Sequence, residues 1–109
     1  MDLLKGTLDV LILKTISWGP LHGYAISKSI REQTGEVFNV EEGALYPALR
    51  RLEKRGLVRA EWGVTDTGRD AKFYTLTPDG NRRLSHEVAS WGRYVDAMSR
   101  VLTATRPAL

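Results

Sequence analysis

The 109-residue chain has no cysteine, which excludes a disulfide framework and any thiolate metal site. It has no run of about 18 apolar residues, so no segment reads as a membrane span. Asp2, Lys5, Asp9 and Lys14 interrupt the apolar N-terminus, a pattern that does not fit a secretory signal peptide. Together these point to a cytoplasmic location. Histidine is scarce: His22 and His86 fall on different predicted helices and read as a helix-terminal and a solvent-facing side chain rather than metal ligands. No glycine-rich loop ends in Lys-Ser/Thr, and no GxGxxG follows a strand pattern. The Glu41-Glu42 pair would diverge by about 100° on a helix and could not share a substrate. The chain therefore reads as a non-enzyme with no cofactor.

What is present is concentrated between Glu41 and Trp62. Leu45, Ala48, Leu49 and Leu52 recur at the i, i+3, i+4, i+7 spacing of a buried helix face. The opposite side carries Gly43, Tyr46, Pro47, Arg50, Arg51 and Lys54. Glycine 56 ends this helix, and β-prone Leu57-Val58 follows. The net charge is only +3, yet Arg50 to Arg59 hold five cations against the single anion Glu53, leaving the rest of the chain near −1. A basic patch on a near-neutral body fits the electrostatic footprint of a polyanion partner. A solvated helix face is the bland alternative.

Elsewhere the pattern predicts a first helix over 4–16, with Leu4, Leu8, Leu11, Ile12, Thr15 and Ile16 on one side, closed by Trp18-Gly19-Pro20. A second helix is expected over 21–34, burying Leu21, Ala25 and Ile30 and capped at Gly35. Pro47 predicts an irregular first turn of the third helix rather than a break. Two strands, 57–62 and 71–76, flank a Gly/Asp/Thr turn and make a hairpin. Thr77-Pro78 offers an N-cap followed by proline at the first helical position. The last helix, to about Thr103, carries Leu84, Val88, Trp91, Val95, Met98 and Leu102 at alternating spacings of four and three, a heptad seam. A small domain has little core left to cover such a seam, so its expected partner is a second copy of the chain.

This order predicts a mainly α fold with a small β-hairpin wing, a winged helix-turn-helix followed by a long C-terminal dimerisation helix. Residues 1–77 would form the first part and 78–109 the second, as one compact unit. Leu8 with Leu11-Ile12-Leu13, Gly19-Pro20 with His22-Gly23-Tyr24, and Glu42-Gly43-Ala44-Leu45-Tyr46-Pro47-Ala48-Leu49 together give the chain, from about Leu3 to Leu102, a pattern that resembles the short form of the PadR family of transcriptional regulators. It extends through Leu52-Glu53-Lys54-Arg55-Gly56-Leu57 to Lys72-Phe73-Tyr74-Thr75-Leu76-Thr77 and Gly80. Position 73 is Phe where the family often has Tyr. The resemblance implies a homodimeric repressor on two-fold symmetric promoter DNA, released by a small molecule, a stress signal or a partner protein.

Specific roles follow for individual residues. Tyr46, Arg50, Arg51 and Lys54 would face DNA, with Arg50 suited to a guanine edge because its fork can bond O6 and N7 together. Gly43 and Pro47 would let the helix approach the groove closely. Tyr24 would either donate to a phosphate or pack half-buried, and Ser27 and Lys28 are further backbone-contact candidates. Arg69 and Lys72 could reach phosphates or the minor groove, whereas Tyr74 would join them or pack beneath the wing. Trp91, Tyr94 and Met98 resemble the aromatic lining that receives flat apolar effectors in ligand-responsive relatives; the other reading of Trp91 is plain dimer core. A winged-helix module that turns its basic face to an acidic protein is the alternative function.

Overall fold

Four helices and three strands make up the computed structural model, which describes residue 1, residues 3–4 and residues 6–109; Asp2 and Lys5 lie outside the described residues. The order is α1 (Thr7–Thr15), a 3-10 turn (Ile16–Trp18), β1 (Leu21–His22), α2 (Gly23–Gln33), α3 (Glu42–Lys54), β2 (Val58–Val64), β3 (Asp70–Leu76) and α4 (Pro78–Leu102). This is a mainly helical winged-helix architecture.

Three departures from sequence periodicity have physical reasons. The helix expected from Leu4 starts at Thr7, and Leu4 is exposed, while Leu13, off the predicted stripe, is buried. The apolar periodicity overstated the helix because it does not register the left-handed Gly6 (φ 85°) that precedes it. Leu21 and His22 are not helical. They pair antiparallel with Tyr74 and Phe73, so the two-stranded wing becomes a three-stranded sheet of order β1-β3-β2. Helix α2 consequently begins at Gly23 and buries Ile26 and Ile30, with Ala25 only half-covered.

The core joins Ile12, Leu13 and Ile16 of the first segment to Ile26 and Ile30 of α2 and to Leu45, Ala48, Leu49 and Leu52 of α3. The four α3 residues are those its spacing predicts, all at 1% exposure or less. Pro47 sits inside α3 without ending it. The helix stops at Gly56, whose φ of 74° no β-carbon-bearing residue adopts without strain. There the Leu57 amide donates to the Leu52 carbonyl at 2.9 Å and the Gly56 amide to Glu53 at 3.0 Å, which satisfies two otherwise unpaired helix-end carbonyls.

The hairpin then returns the chain beside that helix end. Thr77 caps α4, its Oγ1 accepting from the Gly80 amide at 3.0 Å while donating to the Gly56 carbonyl at 2.6 Å. One side chain thus pins the start of α4 to the end of α3. Leu84 completes the core at 8% exposure. It was expected in the seam between two copies, but it is covered by its own chain, because the first turns of α4 still lie over the body. From Trp91 onward every residue of the chain is exposed. The molecule measures 61 × 29 × 22 Å with a radius of gyration of 16.3 Å, against about 13 Å for a compact chain of this length.

Candidate nucleic-acid interface

Helix α3 is held by its apolar side, which fixes the direction of the other. Tyr46, Arg50, Arg51 and Lys54 are exposed on that outer side, with Gly43 exposed and Pro47 half-buried. Their surroundings differ. The Asp9 carboxylate of α1 meets Arg51 at 3.3 Å and Arg55 at 3.9 Å, so Arg51, expected among the free cations, is held against α1. Among the described residues Arg50 and Lys54 have no ion-pair partner. They are the cations on this helix whose charge is uncompensated.

Tyr46 joins α3 to the start of α2. Its ring lies so close to Gly23 that a β-carbon there would stand 2.8 Å from the Tyr46 hydroxyl. Next to Gly23, Tyr24 is 64% exposed. Ser27 lies half-buried one turn on, its hydroxyl donating to the Tyr24 carbonyl at 3.1 Å. Lys28 is exposed and 3.9 Å from Glu32. The start of α2, with Tyr24 exposed beside Gly23, thereby adjoins Tyr46 on α3.

On the wing, Arg69 and Lys72 are exposed, but Tyr74 is not. At 6% exposure Tyr74 packs beneath the sheet, and of its two sequence readings only the structural one fits. Burial pushes its hydroxyl pKa above the ordinary 10.0, with the Glu53 carboxylate adding to the rise and Arg50 opposing it. His22, read from sequence as helix-terminal, is the N-cap residue of α2 and also ends β1; its ring lies 5.3 Å from Phe73 and its Nδ1 is buried without a hydrogen-bond partner among the described residues. His86 is exposed, as expected. Sequence reasoning missed two features of this surface. Asp9 gave no local signal because its partners are 42 and 46 positions away. Trp62, a strand residue by pattern, stands 72% exposed on the wing.

The seam residues Val88, Trp91, Val95, Met98 and Leu102 are all exposed on α4, together with Tyr94 and Val101. Trp91 and Tyr94 stack at 5.7 Å between centroids, with planes 19° apart. An apolar cleft of about 510 Å³ opens beside Trp91, lined by Leu4, Val10, Leu11, Phe38 and Val88 among others. Tyr94 and Met98 are not part of that lining. Trp91 and Val88 face this cleft toward α1, Trp91 and Tyr94 together line an adjoining opening of about 450 Å³ beside Leu4 and Val10, and Met98 lies further out along the helix.

The helix order, the three-stranded wing and the protruding α4 agree with one family model, described as the transcriptional regulator PadR-like family, which matches residues 12–86. The chain belongs to the PadR family of transcriptional regulators. Its fold superposes on a transcriptional regulator from Clostridium thermocellum with a TM-score of 0.82 at 31% identity, covering 92% of this chain and 97% of that one. A PadR-like transcriptional regulator from Bacillus cereus gives 0.81 at 30% identity over 93% and 96% of the two chains. In sequence the chain is 30% identical over 77 residues to the negative transcriptional regulator PadR of Bacillus subtilis. That match takes in 71% of this chain but 42% of the B. subtilis protein, so the chain spans less than half of that relative. No helix among the described residues is long and apolar enough to cross a membrane.

Proposed function

We propose that this PadR-family regulator binds promoter DNA as a homodimer and acts as a repressor in the cytoplasm. The observation that carries this reading is the pairing of Arg50 and Lys54, uncompensated and outward, with an opposite helix face that is wholly buried. A helix anchored in this way presents a rigid cationic side to a groove. The flanking Tyr24, Ser27, Lys28, Tyr46, Arg69 and Lys72 would hold phosphates, and the Arg50 fork would read a base edge. Gly43 and Pro47 leave the approach smooth.

Dimerisation is supported by the exposed seam from Val88 to Leu102, too apolar to be plain solvent-facing surface. Two copies joined there would set their reading helices about 34 Å apart, one turn of the duplex. A small-molecule or stress signal would act at the apolar cleft beside Trp91, whose walls come from α1 and α4. The repressor assignment draws on the B. subtilis relative, which is named a negative regulator.

The test is a fluorescence-anisotropy titration of the protein against the duplex upstream of its own gene and against a random duplex of equal length. Tighter binding to the upstream duplex, with an affinity that falls steeply with salt, is the expected result. Equal binding to both, or none, would instead favour a winged-helix module whose basic face meets an acidic protein.

A further inference from the structure

The exposed tryptophan of the wing has no role in the fold that accounts for its position. Strand pairing sets Trp62 opposite Lys72, Ala60 opposite Tyr74 and Val58 opposite Leu76. Side chains alternate along a strand, so Val58, Ala60 and Trp62 share one face with Leu76, Tyr74 and Lys72. At Val58 and Tyr74 that face is buried against the helices, at 2% and 6% exposure. Two residues further along, about 7 Å, the same face emerges past the helical layer, and Trp62 and Lys72 are the pair that stands there. Helix α3 packs against β2, so it borders the emerging face.

The wing's charges do not explain what this face would hold. Arg59, Arg69 and Lys72 are balanced by Glu61, Asp66 and Asp70, so the hairpin as a whole offers a polyanion no net attraction. Within it, however, the Lys72 ammonium lies 5.8 Å from the centre of the Trp62 ring. Cation and indole form a unit with a flat apolar surface, one N–H donor and one localised charge.

We propose that Trp62 is a direct, largely non-ionic contact to duplex DNA beside the groove occupied by α3. Its indole lies flat on the sugar wall of the backbone and its Nε1–H donates to a phosphate oxygen, while Lys72 takes the neighbouring phosphate. This rests on the DNA-binding reading above and adds to it a residue that contributes affinity without contributing to the salt dependence.

The experiment compares the full-length wild type with Trp62→Ala, Trp62→Phe and Lys72→Ala, each titrated with the upstream and the random duplex over a range of salt concentrations. Thermal melts of every variant check the fold. Trp62→Ala is expected to weaken binding by about three- to tenfold with an unchanged slope of log affinity against log salt. Trp62→Phe should recover most of the loss, and Lys72→Ala should reduce the slope by about one. A Trp62→Ala protein that binds as the wild type does overturns the contact. So does one whose slope drops like that of Lys72→Ala, because the indole would then only position the lysine. Absence of binding by the wild type overturns the DNA-binding reading and this contact with it.

Discussion

Gly80 lies directly against the Leu57 carbonyl: a β-carbon on residue 80 would overlap that oxygen and touch the Leu76 side chain at 3.0 Å. The first turn of α4 therefore approaches the end of α3 by backbone alone. The approach brings Thr77 within reach of both the Gly56 carbonyl and the Gly80 amide. The long helix leaves the domain from this point, so its direction depends on a missing side chain.

Gly80→Ala is expected to destabilise the chain by about 1–3 kcal/mol, since the obstruction is backbone and cannot rotate away. Gly92→Ala is the control. It meets nothing within 4 Å and should stabilise the helix by about 0.5–1 kcal/mol. Urea denaturation monitored by circular dichroism separates the two, and equal effects would count against the close approach at Gly80.

The neighbouring arginines of α3 should separate in the same way. Arg50→Ala should cost about 1–3 kcal/mol of preference for the specific duplex over random DNA. Arg51→Ala should leave that preference largely intact and instead share a small coupling, up to about 1 kcal/mol, with Asp9→Ala in a double-mutant cycle of stability. Reversed behaviour of the two arginines would mean that the Asp9 pair opens when DNA binds.

Along α4, Val95→Asp is expected to give a folded monomer in analytical ultracentrifugation, because the charge falls in the exposed seam. Leu84→Asp should instead unfold the protein, costing on the order of 3 kcal/mol or more, because residue 84 is inside the chain's own core. A folded Leu84→Asp monomer would place the boundary between core and seam too far along the helix.

Tyr74 gives an alkaline limit to stability. Its hydroxyl pKa is raised in the folded state by burial first and by Glu53 second. The unfolded chain therefore releases this proton at lower pH than the folded one. The stabilisation is complete below the unfolded value near 10 and is lost as the pH rises from there toward the raised folded value. Tyr74→Phe should flatten this alkaline decline in thermal melts taken from pH 8 upward; an identical decline in both proteins would assign it to other groups.

Much of this was readable in advance. The two faces of α3, the Thr77-Pro78 helix start and the length of the last helix are local patterns, and each formed where the sequence put it. The late start of α1 is a local failure, set by the left-handed Gly6; the others were matters of long-range contact. Leu21 and His22 look helical beside α2 until Tyr74 and Phe73 supply a strand edge. Tyr74 shares a strand face with exposed Lys72, and only the packing of the sheet against the helical layer takes it out of solvent.

By itself, then, the sequence determined which residues share the faces of α3, where α3 stops and α4 starts, and which family the pattern resembles, because these follow from periodicity and capping within a few turns. Tertiary structure decided which of those faces stay open. Asp9 holds Arg51 and Arg55 but leaves Arg50 and Lys54 free, and the core takes Leu84 but releases the seam from Val88 onward. On the wing the sheet runs past the helices and leaves Trp62 exposed. The physical reason is common to all three: burial and charge pairing depend on what arrives from distant positions, and the strand register, not the strand propensity, sets where a face passes from core to solvent.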